Sequence, residues 1–361
     1  MEKYVNLDPN MAVEKTVGET DVVWHDVRRP PFSLYGFYRP QTEPYFHRLP
    51  EDTAAAASEK VASLQRESAG GRVRFSTDSP YIAIRVRYRV VGRMPHTTLI
   101  SSAGFDLYED GPFGSLYVRE FRMPYDMADG YEQLVQLPRT GLRAYTVNFP
   151  IHSVVETLEI GLHPDAALAA GAPYRDIAPI VFYGSSIVHG TAASRPGLIY
   201  ENHISRALNM DYIDLGFSGN AKGELPLARY MAGLPMSVFV CDYDHNSPDA
   251  AFLNQTHWPM YEAVRAVRPD VPYIMITRPN YYTSETADGA VLARRDVIMR
   301  SYLRARDAGD KNVYYIDGMS FFADEYLYSC TMDHIHPNDL GFVRMAQGIG
   351  TVIRHALEKG L

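Results

Sequence analysis

Cysteine is nearly absent: Cys241 and Cys330 are the only two in 361 residues. So few cannot form a disulfide framework for a chain of this size, and both are expected as free thiols. Long apolar runs are missing too. No segment approaches the length of a bilayer span, and the start, Met1-Glu-Lys-Tyr-Val-Asn-Leu-Asp8, has neither the basic opening nor the apolar stretch of a signal peptide. The chain as it stands reads as cytoplasmic, with no membrane partner. A concentrated basic face is also lacking. Lys and Arg are scattered and the net charge is -8, which excludes nucleic acid as a partner because phosphate binding needs clustered cations. Asp242, Asp244 and His245 come nearest to a metal-binding set. No second histidine or carboxylate cluster stands at a telling spacing, so neither a metal nor another cofactor is expected.

Apolar residues, by contrast, are plentiful. They make up 46% of the sequence, enough in a chain of this length for two cores, and two domains follow as the first expectation. Tyrosine, at 26 residues, suits either strand packing or stacking on sugars, and packing is the default. Between residues 71 and 162 the chain alternates apolar and polar positions, as in Val73-Arg-Phe75 and Ile82-Ala-Ile84-Arg-Val86-Arg-Tyr88-Arg-Val90. Gly, Pro and Asp turns break these runs, the pattern of an antiparallel sandwich. The Ala-rich stretch from Glu51 to Gly70 fits either a short helix or a strand with a loop. After the Gly- and Pro-containing segment 171–179 the pattern changes. Apolar strand-like runs at 180–183, 212–215, 238–241, 273–276 and 313–316 alternate with helical segments, and a last helix covers about 339–358. The fold class expected is therefore α/β: residues 1–175 form an N-terminal, jelly-roll-like β-sandwich, and residues 176–361 a three-layer α/β/α domain around a five-stranded parallel sheet.

In an open parallel sheet, ligands gather at the carboxyl ends of the strands. Ser186 follows the first strand, Gly219 the second and Asn246 the third, while Asp333 and His336 precede the last helix. A serine hydroxyl is a weak nucleophile until an imidazole takes its proton and a carboxylate holds that imidazole in the right tautomer. Ser186, His336 and Asp333 supply these three roles. The oxyanion that forms on attack needs preorganised donors, available from the Ser186 and Gly219 N–H groups and the Asn246 amide. Arg278, His189 and Tyr243 follow strand ends and are candidates for substrate-binding walls, with a structural ion pair the competing reading of Arg278.

Four blocks occur in order along the chain: Gly184-Ser-Ser186-Ile, Gly216-Phe-Ser-Gly219, Asn246, and Asp333-x-x-His336-Pro-Asn338. As an ordered set they resemble the SGNH hydrolases, also called GDSL-like esterases, over residues from about 178 onward, with Ser186, Gly219, Asn246 and His336 at the family's four named positions. Two places depart from the family pattern: Ser185 stands where an Asp usually precedes the nucleophile, and Asp244-His-Asn246-Ser replaces the usual Gly-x-Asn-Asp. The first half resembles the small β-rich domain found ahead of some of these esterases, with Gly104-Phe-Asp-Leu-Tyr108 matching its signature. On its own that run reads as a hairpin or edge strand without a ligand role. The resemblance implies a serine esterase that removes a small acyl group, acetyl first, from a carbohydrate or polyol hydroxyl. Its partner would be a small-molecule or oligosaccharide ester. An acyltransferase passing the same acyl group to an alcohol, and a non-catalytic carbohydrate-binding protein on a hydrolase scaffold, are the alternatives. Oligomeric state, a homo-oligomer included, stays open.

Overall fold

A computed structural model describes residues 13, 16–18, 21–112, 114–279, 289–323 and 326–359. The opening residues 1–8, read above for a leader, lie outside the described residues. The strands fall into three sheets, two antiparallel and one parallel. The first antiparallel sheet joins β1 (Val23–Asp26), β9 (Val154–Leu162), β4 (Tyr81–Val90) and β7 (Gly130–Gln136) in that order. The second runs β10 (Leu168–Ala170), β3 (Arg72–Thr77), β8 (Arg143–Asn148), β5 (Phe105–Gly111) and β6 (Gly114–Phe121), with β2 (Ser33–Tyr35) also on β3. Strand β4 shows why the alternation folds this way. Ile82, Ile84 and Val86 enter a core shared with Val73, Phe75, Leu107 and Val147 of the other sheet. The intervening Arg85 and Arg89 point outward to Glu132, Glu159 and Glu156.

The parallel sheet has the order β12 (Tyr212–Gly216), β11 (Ile180–Gly184), β13 (Val238–Asp242), β14 (Tyr273–Ile276) and β15 (Val313–Ile316). Strands β11 and β13 are buried throughout, as continuous apolar runs covered on both faces must be. Because β12 and β13 flank β11, the chain reverses its direction of winding here, and a crevice opens at the strand ends. The registers are in step, with Gly184 opposite both Gly216 and Asp242. Loops leaving the three strands therefore meet at one level.

The stretch from Glu51 to Gly70, ambiguous in sequence, contains two short helices, α1 (Glu51–Ala57) and α2 (Glu59–Leu64). Ser58 ends the first and caps the second, accepting from Val61 N–H at 3.1 Å. Leu49, Ala54 and Val61 do not join the antiparallel core. They pack with Val181, Tyr183, Leu227 and Ala228 beside the parallel sheet. The Gly104–Tyr108 signature leads into β5, which lies between β8 and β6; it forms a hairpin with β6 and is not an edge strand. Asp106 of this strand is fully buried and accepts from Arg195 Nη1 at 2.8 Å, Gly197 N–H at 2.9 Å and Asn148 Nδ2 at 2.8 Å. The signature thus ties the antiparallel sheets to the segment that follows Ser186.

A second tie is Arg48, whose side chain has no exposure. It donates to Gly216 O at 2.7 Å, Leu64 O at 2.7 Å and Glu67 O at 3.0 Å, and pairs with Asp214 Oδ1 at 3.4 Å. Among the described residues, Cys241 and Cys330 are both buried and not joined in a disulfide, and no helix is long and apolar enough to cross a membrane. Removing one partner of a buried ion pair leaves the other uncompensated, at a cost of about 3–5 kcal/mol. Arg48→Met is expected to lose stability on that scale in urea unfolding; a loss below about 1 kcal/mol would show that Asp214 needs no counter-charge.

Candidate active site

Strand β11 ends on Gly184, where a Cβ would lie 2.0 Å from Asp242 O. Only glycine lets the strands approach this closely. Ser185 Oγ accepts from Ile187 N–H at 3.2 Å, and the chain turns back with His189 N–H donating to Ser185 O. Ser185, which stands where the family carries Asp, therefore caps the turn that presents Ser186.

At the other end of the chain, Asp333 opens a turn by accepting from the N–H groups of Ile335 at 3.1 Å and His336 at 2.8 Å through Oδ1. Its second oxygen lies 2.8 Å from His336 Nδ1. His336 Nε2 lies 2.8 Å from Ser186 Oγ. Asn338 caps the last helix (Asp339–Lys359) by accepting from Gly341 N–H at 3.2 Å. Partial burial pushes the Asp333 carboxyl up, but the bonds from His336 and Ile335 outweigh it and hold it below its ordinary value. With an ionised carboxylate on Nδ1–H, Nε2 faces Ser186 as an acceptor.

The loop after β12 places Gly219 at φ +71°, in the left-handed region that favours glycine. Among the described residues, neither the Ser186 nor the Gly219 N–H is engaged in a hydrogen bond. Asn246 Nδ2 donates to Phe217 O at 3.0 Å, which uses one of its two protons and leaves the other. Ser186, Gly219, Asn246 and His336 line one cavity of about 360 Å³, together with Arg278 and His96.

Of the three candidate wall residues, the structure brings Arg278 to this cavity and not the other two. Arg278 N–H donates to Asp244 Oδ2 at 3.0 Å, while its guanidinium has no ion pair within 4 Å among the described residues. Burial lowers its pKa, opposed by the nearby Asp244 charge. Burial in turn raises Asp244 to about 6, with Arg278 pulling it back. Tyr243 turns into the core, its ring 5.6 Å from that of Tyr183 and its hydroxyl 3.0 Å from Thr256 Oγ1. His189 is fully buried beneath the site. Following a strand end does not by itself aim a side chain at the crevice; here the backbone direction after β11 and β13 sends both inward.

Two contributors to the cavity are not evident in the sequence. His96, in the loop after β4, stacks on the His336 ring at 5.2 Å and 28°, so the antiparallel unit forms part of the cavity wall. His245 also lines the cavity, and burial with the charges of Arg278 and His336 holds its pKa well below the usual range. Donors suited to a cation approach each other twice among the described residues, at Glu67, His152 and His189 and at His96, Asp333 and His336. Members of each set already contact one another directly.

Residues 178–354 match the GDSL-like lipase/acylhydrolase family, and residues 22–168 match the N-terminal domain of SGNH-hydrolase-type esterases known by its Gly-x-Asp-Leu-Tyr signature. Among curated proteins, none matches the chain. Among solved structures, a protein described as a GDSL-like lipase from Bacteroides ovatus is 27% identical with a TM-score of 0.84, over 93% of this chain and 98% of that one. A salicylyl acyltransferase from a tetracycline biosynthetic pathway is 19% identical with a TM-score of 0.74, over 92% and 96%. An acetyl xylan esterase from the rumen bacterium Butyrivibrio proteoclasticus is 12% identical with a TM-score of 0.59, over 94% and 99%. The chain belongs to the SGNH, or GDSL-like, serine ester hydrolases, in the form that carries a β-rich domain ahead of the hydrolase fold.

Proposed function

We propose that the protein is a serine esterase that releases a small acyl group, acetyl first, from a carbohydrate or polyol hydroxyl through an acyl-enzyme. The observation that carries this reading is the unbroken contact series Ser186 Oγ, His336 and Asp333, at 2.8 Å in each step. Ser186 attacks the ester carbonyl as His336 Nε2 takes its proton, and Asp333 stabilises the resulting imidazolium. The oxyanion is received by the Ser186 and Gly219 N–H groups and by Asn246. His336 then returns the proton to the departing alcohol, leaving the acyl group on Ser186. A water deprotonated by His336 attacks the acyl-enzyme and frees the acid. A cavity of about 360 Å³ is at the small end for ligand sites, which favours a short acyl group. The half-buried polar rim of Arg278 and His96 suits a hydroxylated alcohol. Likeness to an acetyl xylan esterase supports carbohydrate as the substrate class through fold alone.

A second reading, acyl transfer to an alcohol, draws support from the salicylyl acyltransferase likeness, whose TM-score of 0.74 exceeds the 0.59 of the acetyl xylan esterase. The two reactions share every step up to the acceptor. Adding alcohol acceptors and analysing products separates them, with a dominant new ester favouring transfer.

Acetate release from a panel of acetylated mono- and oligosaccharides is expected from the intact protein and absent in Ser186→Ala; release that survives in Ser186→Ala would remove Ser186 from the chemistry. Asp333→Asn is expected to keep the fold and lower kcat by roughly 10⁴-fold through the wrong imidazole tautomer. An unchanged kcat in that variant would contradict the role given to Asp333.

A further inference from the structure

Beneath the loop that carries Gly219 runs a second series of buried polar contacts, and it crosses from one unit of the fold to the other. His189 Nδ1 accepts from the Ser218 N–H at 3.4 Å and lies 3.0 Å from Ser218 Oγ. An imidazole that accepts through Nδ1 carries its proton on Nε2. That nitrogen lies 3.0 Å from Glu67 Oε2, at an angle poor for a hydrogen bond, so the contact is chiefly electrostatic. The same oxygen is 3.0 Å from His152 Nδ1, and His152 Nε2 is 3.2 Å from Thr191 Oγ1. Thr191 Oγ1 returns to Ser218 Oγ at 3.4 Å, closing the ring.

Ser218 lines the same cavity as Ser186 and immediately precedes Gly219. The loop it belongs to is closed by Asn220 N–H and Ala221 N–H donating to Phe217 O at 2.8 and 3.1 Å, and by Asn220 Nδ2 donating to Ser218 O at 2.7 Å. Gly219 is exposed, sits at positive φ and would have nothing within 4 Å of a Cβ. Yet an oxyanion donor is effective only if its direction is fixed before the charge develops. Of the two neighbours of Gly219, Ser218 is the one whose side chain reaches the buried His189 and Thr191. Burial and the charge of Arg48 lower His189 to about 4, so this imidazole is neutral and a weak base near pH 7. It is suited to orienting Ser218 and not to activating it as a second nucleophile.

We propose that Glu67, acting through His189, is a positioning residue of the esterase site: it fixes the tautomer and rotation of His189, which anchors Ser218 and so aims the Gly219 N–H at the oxyanion. The inference rests on the esterase reading of Ser186. Under it, a carboxylate from the β-rich half of the chain controls transition-state stabilisation without touching substrate. The loss on disconnecting it falls on kcat and leaves substrate affinity alone.

The test compares the full-length wild type, Glu67→Gln, Ser218→Ala and Ser186→Ala on an acetylated saccharide, with active sites counted by a serine-directed phosphonate. A trifluoromethyl ketone, which forms an oxyanion-bearing adduct, reports on the donors directly. For Glu67→Gln and Ser218→Ala the expected result is kcat per active site lower by roughly 10- to 100-fold, KM within about twofold, and ketone affinity lower by a similar factor to kcat. Full kcat per active site in Glu67→Gln or in Ser218→Ala overturns the proposal, as does a loss that falls on KM instead. Should Glu67→Gln fail to fold, Ser218→Ala decides alone, since it removes one hydroxyl at the cavity edge. A wild type without Ser186-dependent turnover would defeat the esterase reading itself, which the Ser186→Ala arm identifies separately.

Discussion

A guanidinium with no exposed surface governs how the two halves of this molecule meet. Arg48 cannot stay buried unless its donors are satisfied, because an unpaired charge in the interior costs several kcal/mol. Its partners are Asp214 and the carbonyl of Gly216 on β12, together with the carbonyls of Leu64 and Glu67. Meeting those needs places the end of β12 against the segment 64–67. The loop that carries Gly219 starts at the next residue, Phe217, and Glu67 becomes a neighbour of His189. Burial raises Asp214 to about 6 while Arg48 pulls it down. The pair is thus a constraint on geometry more than a source of stability.

The seam extends past Arg48. Asp106 holds Arg195 and Gly197, and Thr98 donates to Ser194 O at 2.6 Å. The segment after Ser186 is therefore gripped by the antiparallel unit on one side and built on the parallel sheet on the other. His96 reaches over the rim to stack on His336. The site is enclosed where Ser186 sits and open at its far side: Ser186 is buried, whereas Asp333 is exposed.

Much of this was legible in the sequence for a physical reason. Strands covered on both faces must be continuously apolar, so β11 to β15 stand out, and the β4 alternation records one buried face. The four family blocks each sit beside a strand end or helix start, where local chemistry dictates Gly, Ser, Asn or Asp. The Glu51–Leu64 helices were legible only as one of two readings, because two turns of Ala-rich chain carry too few apolar positions to show a period, and their packing partners lie more than a hundred residues away. His96, Glu67 and His152 were invisible for a related reason. Each is a single polar residue in a connection, and only tertiary folding gives it a neighbour. His189 and Tyr243 mislead in the opposite sense: both follow a strand that points at the crevice, but their side chains turn away from it.

In the reaction proposed for this site, Ser186 takes up the acyl group. The most direct measurement is rapid acid quench during turnover of an acetylated oligosaccharide, followed by peptide mass spectrometry. A transient acetyl group on the peptide containing Ser186, formed before free acetate accumulates, is the predicted result. An acetyl group appearing on another residue, or steady turnover with Ser186 unmodified at every quench time, would contradict it.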